Sequence, residues 1–287
     1  MKVNLSSSCR FVRINGVKLN VYDSGVSRSY DSPTTLVFLH GYPGQLSNWK
    51  YQVPYFEKKL RVIAYDQRGF GESDKPHRVS FNDYVSDLAA LLEKLGVNSG
   101  DAVLVGHSFG GMVAQLFARD REVKGLVLIG SLTKIRVDFT DYIIQYTPSF
   151  IWKPLFFTRN FLTDRLYPQL YFSPSTPIKV WEEFAEDNVD YLQRLPAHVY
   201  RYHKYFADYN AEKWLSKVKA PALVVVGEND KIAPPQESEK ISRLMPNAEL
   251  KVIEAAGHMV LYEKPEELNS IIDEFLAKIG AYKSSPE

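Results

Sequence analysis

The chain has 287 residues, and its 35 Lys and Arg nearly balance its 34 Asp and Glu, so its overall charge favours neither nucleic acid nor an anionic membrane as a partner. Cys9 is the only cysteine, which excludes an intrachain disulfide and a metal site built from cysteines. No stretch reaches the ~18 apolar residues of a membrane-spanning helix, and no apolar region separates Lys2 from Cys9 as in a secreted precursor. We therefore expect a cytoplasmic protein whose partner is a small molecule.

Residues 11–23 form the first regular element. Apolar and polar residues alternate on both sides of Asn15 and Gly16, a pattern typical of a β-hairpin with a tight turn. We expect this hairpin at the edge of a sheet.

Six short, strongly apolar segments follow, as expected of strands that are covered on both faces: residues 34–41, 61–69, 101–108, 123–130, 221–230 and 248–258. Helical patterns lie between them. The clearest are residues 80–95, with Ser80 and Asp83 as a capping box, and residues 265–279. This alternation predicts an α/β protein with a mostly parallel, doubly wound sheet.

The alternation stops in residues 131–215, which we interpret as an inserted helical cap. The remaining residues, 1–130 and 216–287, would then form one core domain. The predicted cap contains 20 of the 38 aromatic residues, and aromatic side chains suit an apolar binding cleft. We expect substrate contacts from Trp152, Phe156 and Phe172 of the cap and from Met259 of the core.

The motif GHSFGG, residues 106–111, places Ser108 between two glycines, after an apolar strand and before a helical segment. In a nucleophile elbow the serine is strained at such a corner, and the residues two positions away must be small. Gly106 and Gly110 meet this requirement. The alternative is an ordinary glycine turn, but the flanking strand and helix favour a nucleophile.

A nucleophilic serine needs a base, usually histidine, and the histidine needs a carboxylate. His258 follows the last predicted strand, so it can reach the carboxyl edge of the sheet where Ser108 projects. Asp230 follows the preceding strand and completes the order Ser, Asp, His. Glu228 and Asp138 are alternative acids, and the competing histidines are His40, His77, His107, His198 and His203.

Backbone N–H donors can stabilise the negative charge that develops when a carbonyl is attacked. We expect one donor at Phe109, directly after Ser108, and a second at Tyr42 in the turn LHGYPG, which is alternatively only a tight connection. The loop DQRGFGESDKP, residues 66–76, is assigned a structural role in which Asp66 and Arg68 can pair.

Five motifs together, HGYPG, DQRGFGESDKP, GHSFGG, GENDKIAP and AGHMVLYEKPEEL, resemble the α/β-hydrolase superfamily in order and spacing. The resemblance implies an eight-stranded sheet and a triad of Ser108, His258 and Asp230, with no metal or organic cofactor. Epoxide hydrolases and haloalkane dehalogenases of this superfamily carry aspartate where this chain has Ser108. Hydroxynitrile lyases usually carry lysine where this chain has Met259.

The interpretation that needs the fewest assumptions is a carboxylic ester hydrolase of the esterase and lipase-like branch, acting through an acyl-serine. Proline iminopeptidases are an alternative, although they generally show HGGPG and GGSWG. Their cap carboxylates, which hold an ammonium group, could correspond to Glu182, Glu183, Glu186 and Asp187. Carbon–carbon bond hydrolases share the triad but have an HGxGPG loop. A ligand receptor on the same scaffold is the non-enzymatic alternative.

Overall fold

The computed structural model describes residues 8–135 and 139–282, and for residues 139–141 it describes the backbone only. These residues include eight β-strands in one sheet, in the order β1-β2-β4-β3-β5-β6-β7-β8. The strands are β1 (Arg10–Ile14), β2 (Val17–Asp23), β3 (Thr35–Leu39), β4 (Arg61–Tyr65), β5 (Ala102–His107), β6 (Gly125–Ile129), β7 (Ala222–Gly227) and β8 (Ala248–Ile253). Neighbours from β4 to β8 are parallel, while β2 is antiparallel to both β1 and β4. The predicted mostly parallel sheet is confirmed.

The two edges of the sheet differ from the buried centre. The predicted hairpin is confirmed at one edge, where Asn15 (φ 45°) and Gly16 (φ 81°) form the turn. At the other edge, the expectation that β8 is covered on both faces is wrong, since only Ile253 of this strand is buried. β8 is the last strand of the sheet, and the faces around it are incompletely covered, so that Val252 is 48% exposed.

Helices cover both faces of the sheet. They are α1 (Val53–Phe56), α2 (Phe81–Lys94), α3 (Phe109–Asp120), α4 (Phe139–Tyr146), α5 (Ser149–Phe156), α6 (Phe161–Tyr171), α7 (Ile178–Arg194), α8 (Pro235–Leu244), α9 (Val260–Glu263) and α10 (Pro265–Lys278). The predicted capping box of α2 is present, because Ser80 Oγ accepts from the Asp83 amide and the Asp83 carboxylate accepts from the Ser80 amide. No helix of the described residues is long and apolar enough to cross a membrane.

Four helices, α4 to α7, lie between β6 and β7, where a doubly wound sheet needs only one crossover helix. The described residues of the span 131–215 contain no strand, only an isolated bridge between Lys134 and Asn210. Their arrangement is consistent with the predicted helical cap. The division into a core and a cap stays a prediction.

One residue, Ser108, connects β5 to α3. This short connection brings α3 against the ends of β3 and β5. A Cβ atom added to Gly106 would lie 2.5 Å from the backbone of Gly110 and Gly111, and one added to Gly110 would lie 2.1 Å from the carbonyl oxygen of Leu39. The corner therefore requires glycine at both positions.

We predict that Gly110→Ala lowers the free energy of unfolding by about 2–3 kcal/mol, because the new methyl group collides with a strand backbone that cannot move aside. Alanine would otherwise favour the helix by roughly 1 kcal/mol. Urea unfolding measures the change. Gly100→Ala is the matched control, since its Cβ would meet only Asn98 Oδ1 at 3.5 Å. Equal stability of the two variants would contradict the prediction.

Candidate active site

Ser108 has the strained backbone of a nucleophile elbow, with φ 52° and ψ −116°. Its own amide donates to the carbonyl oxygen of Ile129 at 2.8 Å, which fixes the corner to the end of β6. The side chain is partly exposed and lines an internal cavity. The predicted placement of Ser108 between strand and helix is confirmed.

Asp230 and His258 form a buried hydrogen-bonded pair. His258 Nδ1 donates to Asp230 Oδ2 at 2.8 Å. Asp230 Oδ1 accepts from the amides of Ile232 (2.9 Å) and Ala233 (2.8 Å), so the carboxylate is fixed from both sides. A Cβ atom on Gly130, the residue after β6, would lie 3.0 Å from Asp230 Oδ2 and 3.2 Å from His258 Nδ1. The pair therefore lies against the end of β6.

Ser108 and His258 line the same cavity at the carboxyl edge of the sheet. Within the described part of the chain, no hydrogen bond joins Ser108 Oγ to His258 Nε2. Such bonds are often long in unliganded enzymes and shorten when substrate binds. With Nδ1–H donated to Asp230, Nε2 of a neutral His258 is left as a proton acceptor.

Of the two alternative acids, the structure describes only Glu228, and it does not pair with His258. Glu228 is exposed, and its carboxylate accepts from the amide of Ala255 at 3.2 Å. Asp138 lies outside the described residues. The arrangement therefore favours Asp230, as the order along the chain predicts.

Two of the competing histidines have structural contacts that occupy their rings. His40 donates through Nδ1 to the Gly41 carbonyl oxygen and accepts through Nε2 from the Gln67 amide. Burial lowers the pKa of His40 to about 4. His107 donates through Nε2 to the carbonyl oxygen of His258 at 2.9 Å, and burial lowers its pKa as well. The rings of His77 and His198 are in tilted contact, with centroids 4.2 Å apart, and His203 contacts the Tyr200 carbonyl oxygen.

Sequence reasoning missed the residue that fixes the loop around His258. The partly buried carboxylate of Glu263 accepts from the amide of Gly257 (2.8 Å), the amide of Ser173 (2.8 Å) and the hydroxyl of Thr176 (2.5 Å). Burial raises its pKa. Glu263 lies five residues after His258 in AGHMVLYEKPEEL, a motif that marked the region without indicating this contact.

The two residues expected to supply the oxyanion donors belong to the elbow itself and to the turn that packs against it. Phe109 is the first residue of α3, so its amide has no acceptor within the helix. The turn that carries Tyr42 lies against the elbow, because a Cβ atom on Gly41 would be 3.3 Å from Ser108 Cβ. The Tyr42 hydroxyl donates to the Val199 carbonyl oxygen at 2.8 Å. This arrangement is compatible with an oxyanion hole, which stays a prediction.

The cavity has a volume of about 160 Å³ and is mainly apolar. Phe156 and Met259 line it, as expected. Trp152 and Phe172 do not: Trp152 packs on Phe157 and Tyr200, and Phe172 packs on Trp181 and Phe184. Further lining side chains that sequence reasoning did not identify include Asn48, Phe157, Arg159, Tyr167, Tyr171, Trp181, Phe184, Asn188, Leu192 and Ile232.

The expected pair of Asp66 and Arg68 in the loop 66–76 is wrong, and the structural role of the loop stays a prediction. Asp66 accepts from Asn20 Nδ2 and from the amides of Leu46 and Glu72. Arg68 instead forms a bidentate ion pair with Asp87 of α2, at 2.6 Å for both contacts. The two side chains therefore tie the loop to different parts of the core.

Among the described residues, no three His, Cys, Asp or Glu side chains form a group that could hold a metal ion. The expectation of no cofactor stays a prediction.

We predict that acid destabilises the fold through His40. The pKa of this residue falls from 6.5 to about 4 on folding. Between these values the unfolded chain binds a proton that the folded chain excludes, so the free energy of unfolding decreases as the pH falls, by about 3 kcal/mol in full. Urea unfolding of the parent and of His40→Gln from pH 7 to pH 4 measures this. The variant should lose stability less steeply, and parallel pH profiles would contradict the assignment.

Comparison with known proteins gives the family. A model described as alpha/beta hydrolase fold matches residues 34–265. The chain is 30% identical to the 2-hydroxymuconate semialdehyde hydrolase of Pseudomonas sp. (strain CF600), over 93% of each chain. It is 28% identical to Epoxide hydrolase 1 of Caenorhabditis elegans, with 94% of this chain and 70% of the relative covered.

A solved structure, a thermophilic esterase from Thermogutta terrifontis with malate bound, superposes with a TM-score of 0.77 and 28% identity, covering 94% of this chain and 99% of the esterase. The chain belongs to the α/β-hydrolase fold family, and it is a hydrolase. The proteins it resembles include a semialdehyde hydrolase, an epoxide hydrolase and an esterase, so family membership alone leaves the substrate open.

Proposed function

We propose that this chain is a serine hydrolase that cleaves carboxylic esters of small to medium substrates through an acyl-serine intermediate. The supporting observation is the hydrogen-bonded pair of Asp230 and His258, which shares a mainly apolar cavity with Ser108 on its strained corner. The likeness to the thermophilic esterase supports an ester as substrate.

In the proposed reaction, His258 Nε2 takes the proton of Ser108 Oγ while the oxygen attacks the ester carbonyl. The amides of Tyr42 and Phe109 stabilise the oxyanion of the tetrahedral intermediate. His258 then passes its proton to the departing alcohol, and water releases the acid by the same steps. Asp230 holds the imidazole in the tautomer that this sequence requires.

The substrate would lie between Ser108 and the helices α5 to α7. Phe156 and Met259 line this space, as do Arg159 and the amide side chains of Asn48 and Asn188. The cavity is therefore suited to an apolar acyl or alcohol group with a polar end. Trp152 and Phe172 are better placed to support the aromatic residues that line it.

We predict that Ser108→Ala abolishes hydrolysis of p-nitrophenyl esters and labelling by a fluorophosphonate probe while the protein stays folded. Asp230→Asn should lower kcat by about 10⁴-fold, because the imidazole loses the carboxylate that fixes its tautomer. Glu228→Gln is the matched control and should retain parent activity. A loss of activity in Glu228→Gln with none in Asp230→Asn would show that the assignment of the acid to Asp230 is wrong.

A second candidate is hydrolysis of a carbon–carbon bond next to a carbonyl. The observation that favours it is the 30% identity to 2-hydroxymuconate semialdehyde hydrolase over nearly the whole chain. Comparing kcat/KM for short p-nitrophenyl esters with that for a 2-hydroxy-6-oxo-dienoate distinguishes the two. A higher value for the dienoate would replace the ester proposal.

The other two alternatives have less support. None of the four cap carboxylates considered for an aminopeptidase lines the cavity, and Glu183 and Asp187 instead pair with Lys50. Release of proline from proline p-nitroanilide in preference to ester hydrolysis would favour the aminopeptidase instead.

A receptor role would be favoured by the absence of both probe labelling and turnover. A cytoplasmic location stays a prediction.

A further inference from the structure

Exposed large hydrophobic side chains are concentrated in one part of the molecule. Thirteen such side chains occur among the described residues, and ten of them lie between residues 142 and 178. Phe161 is 81% exposed and Phe150 is 77% exposed. Scattered apolar residues are normal on protein surfaces, whereas a contiguous group of them is typical of an interaction surface.

Five of these residues repeat at the spacing of one side of a helix. On α5, Ile151 and Leu155 are four residues apart, and on α6, Leu162, Leu166 and Leu170 repeat at the same interval. Side chains at this spacing share a helix face. A helix face in contact with water normally carries polar residues. We call the exposed side chains of these two helices the outer apolar face: Phe150, Ile151, Leu155, Phe161, Leu162, Leu166 and Leu170.

The outer apolar face adjoins the candidate active site. Phe156 of α5, Tyr167 of α6 and Arg159 between the two helices line the cavity that contains Ser108. The same two helices thus present apolar residues both to the cavity and to solvent. A molecule bound at the outer face would lie next to one wall of the cavity.

The charges around this face are mainly positive. Arg159 and Arg165 are exposed, and Lys231 reaches α6 to donate to the Gln169 carbonyl oxygen. Asp164, which pairs with Arg159, is the only acidic residue in the sequence of α5, α6 and their connection. The positive charge is local, since the net charge of the whole chain is only +1.

These charges distinguish between possible occupants. In a symmetric contact between two copies, the same patch faces itself, so the cationic side chains would approach each other. In an anionic lipid surface, the leucine and phenylalanine side chains can insert among the acyl chains. The negatively charged headgroups can then pair with the arginines and the lysine.

We propose that the outer apolar face docks onto the surface of an anionic lipid bilayer, with α5 and α6 lying in the interface. The binding requires no membrane-spanning segment. It is independent of the ester hydrolysis proposed above, because none of the residues that form the face lines the cavity.

Vesicle sedimentation of the intact chain tests this proposal. We expect the parent protein to sediment with vesicles of phosphatidylcholine and phosphatidylglycerol at a 7:3 ratio, and at least fivefold more weakly with phosphatidylcholine alone, because each cationic residue near an anionic surface strengthens binding by about this factor. This comparison needs no variant. Failure to sediment with the anionic vesicles, or equal binding to both compositions, would overturn the proposal.

A double variant, Phe150→Ser with Phe161→Ser, should weaken sedimentation at least tenfold. The matched control is Phe11→Ser with Val26→Ser, which removes side chains of similar exposure (60% and 66%) away from this face and should bind like the parent. Circular dichroism and ester hydrolysis in solution check that both variants fold. Equal binding by the two double variants would contradict the assignment of the face.

Sedimentation equilibrium without lipid tests the competing occupant. A parent dimer that becomes monomeric in the Phe150 and Phe161 variant would show that the face is an interface between two copies, and the lipid proposal would be wrong. Sedimentation does not depend on catalysis, so an inactive protein that still binds vesicles would refute only the proposed function.

Discussion

The close approach of α3 to the ends of β3 and β5 is the constraint on which the candidate site depends. Only glycine fits at positions 106 and 110, because a Cβ atom at either would lie 2.1–2.5 Å from neighbouring backbone. The tight packing holds Ser108 at φ 52°, a conformation that non-glycine residues rarely adopt. The strain persists because the surrounding sheet and helix determine the path of the chain on both sides. As a result, the side chain of Ser108 lines the cavity, and Phe109 begins α3 directly after it.

The histidine of the site is held by parts of the chain that are distant in sequence. Its carbonyl oxygen accepts from His107, and its ring donates to Asp230. The next residue, Met259, donates from its amide to the Tyr171 carbonyl oxygen at the end of α6. Glu263 joins Gly257 to Ser173 and Thr176. The loop of His258 is thus bonded both to the strands and to the segment after α6, so displacement of that segment would also displace the imidazole.

The helices between β6 and β7 contact the rest of the protein in different ways. α7 makes polar contacts: Asn188 forms hydrogen bonds with Asn48 and Gln45, and Lys50 forms ion pairs with Glu183 and Asp187. α5 and α6 contribute aromatic residues to the cavity on one side and expose leucine and phenylalanine side chains on the other. α7 also lines the cavity, with Trp181, Phe184 and Leu192.

The sequence by itself determined the features that depend on short-range geometry: the hairpin turn at Asn15 and Gly16, the cap of α2 at Ser80, the strand and helix that flank Ser108, and the positions of Asp230 and His258 after their strands. Chain order then favoured Asp230 over Glu228. Only the tertiary structure decided which of the aromatic residues between 131 and 215 line the cavity, that Arg68 pairs with Asp87 and not Asp66, that β8 is largely uncovered, and that Glu263 fixes the His258 loop. These features depend on contacts between residues that are far apart in the chain, and the local pattern of apolar, polar and turn residues carries no information about which distant surface a side chain meets.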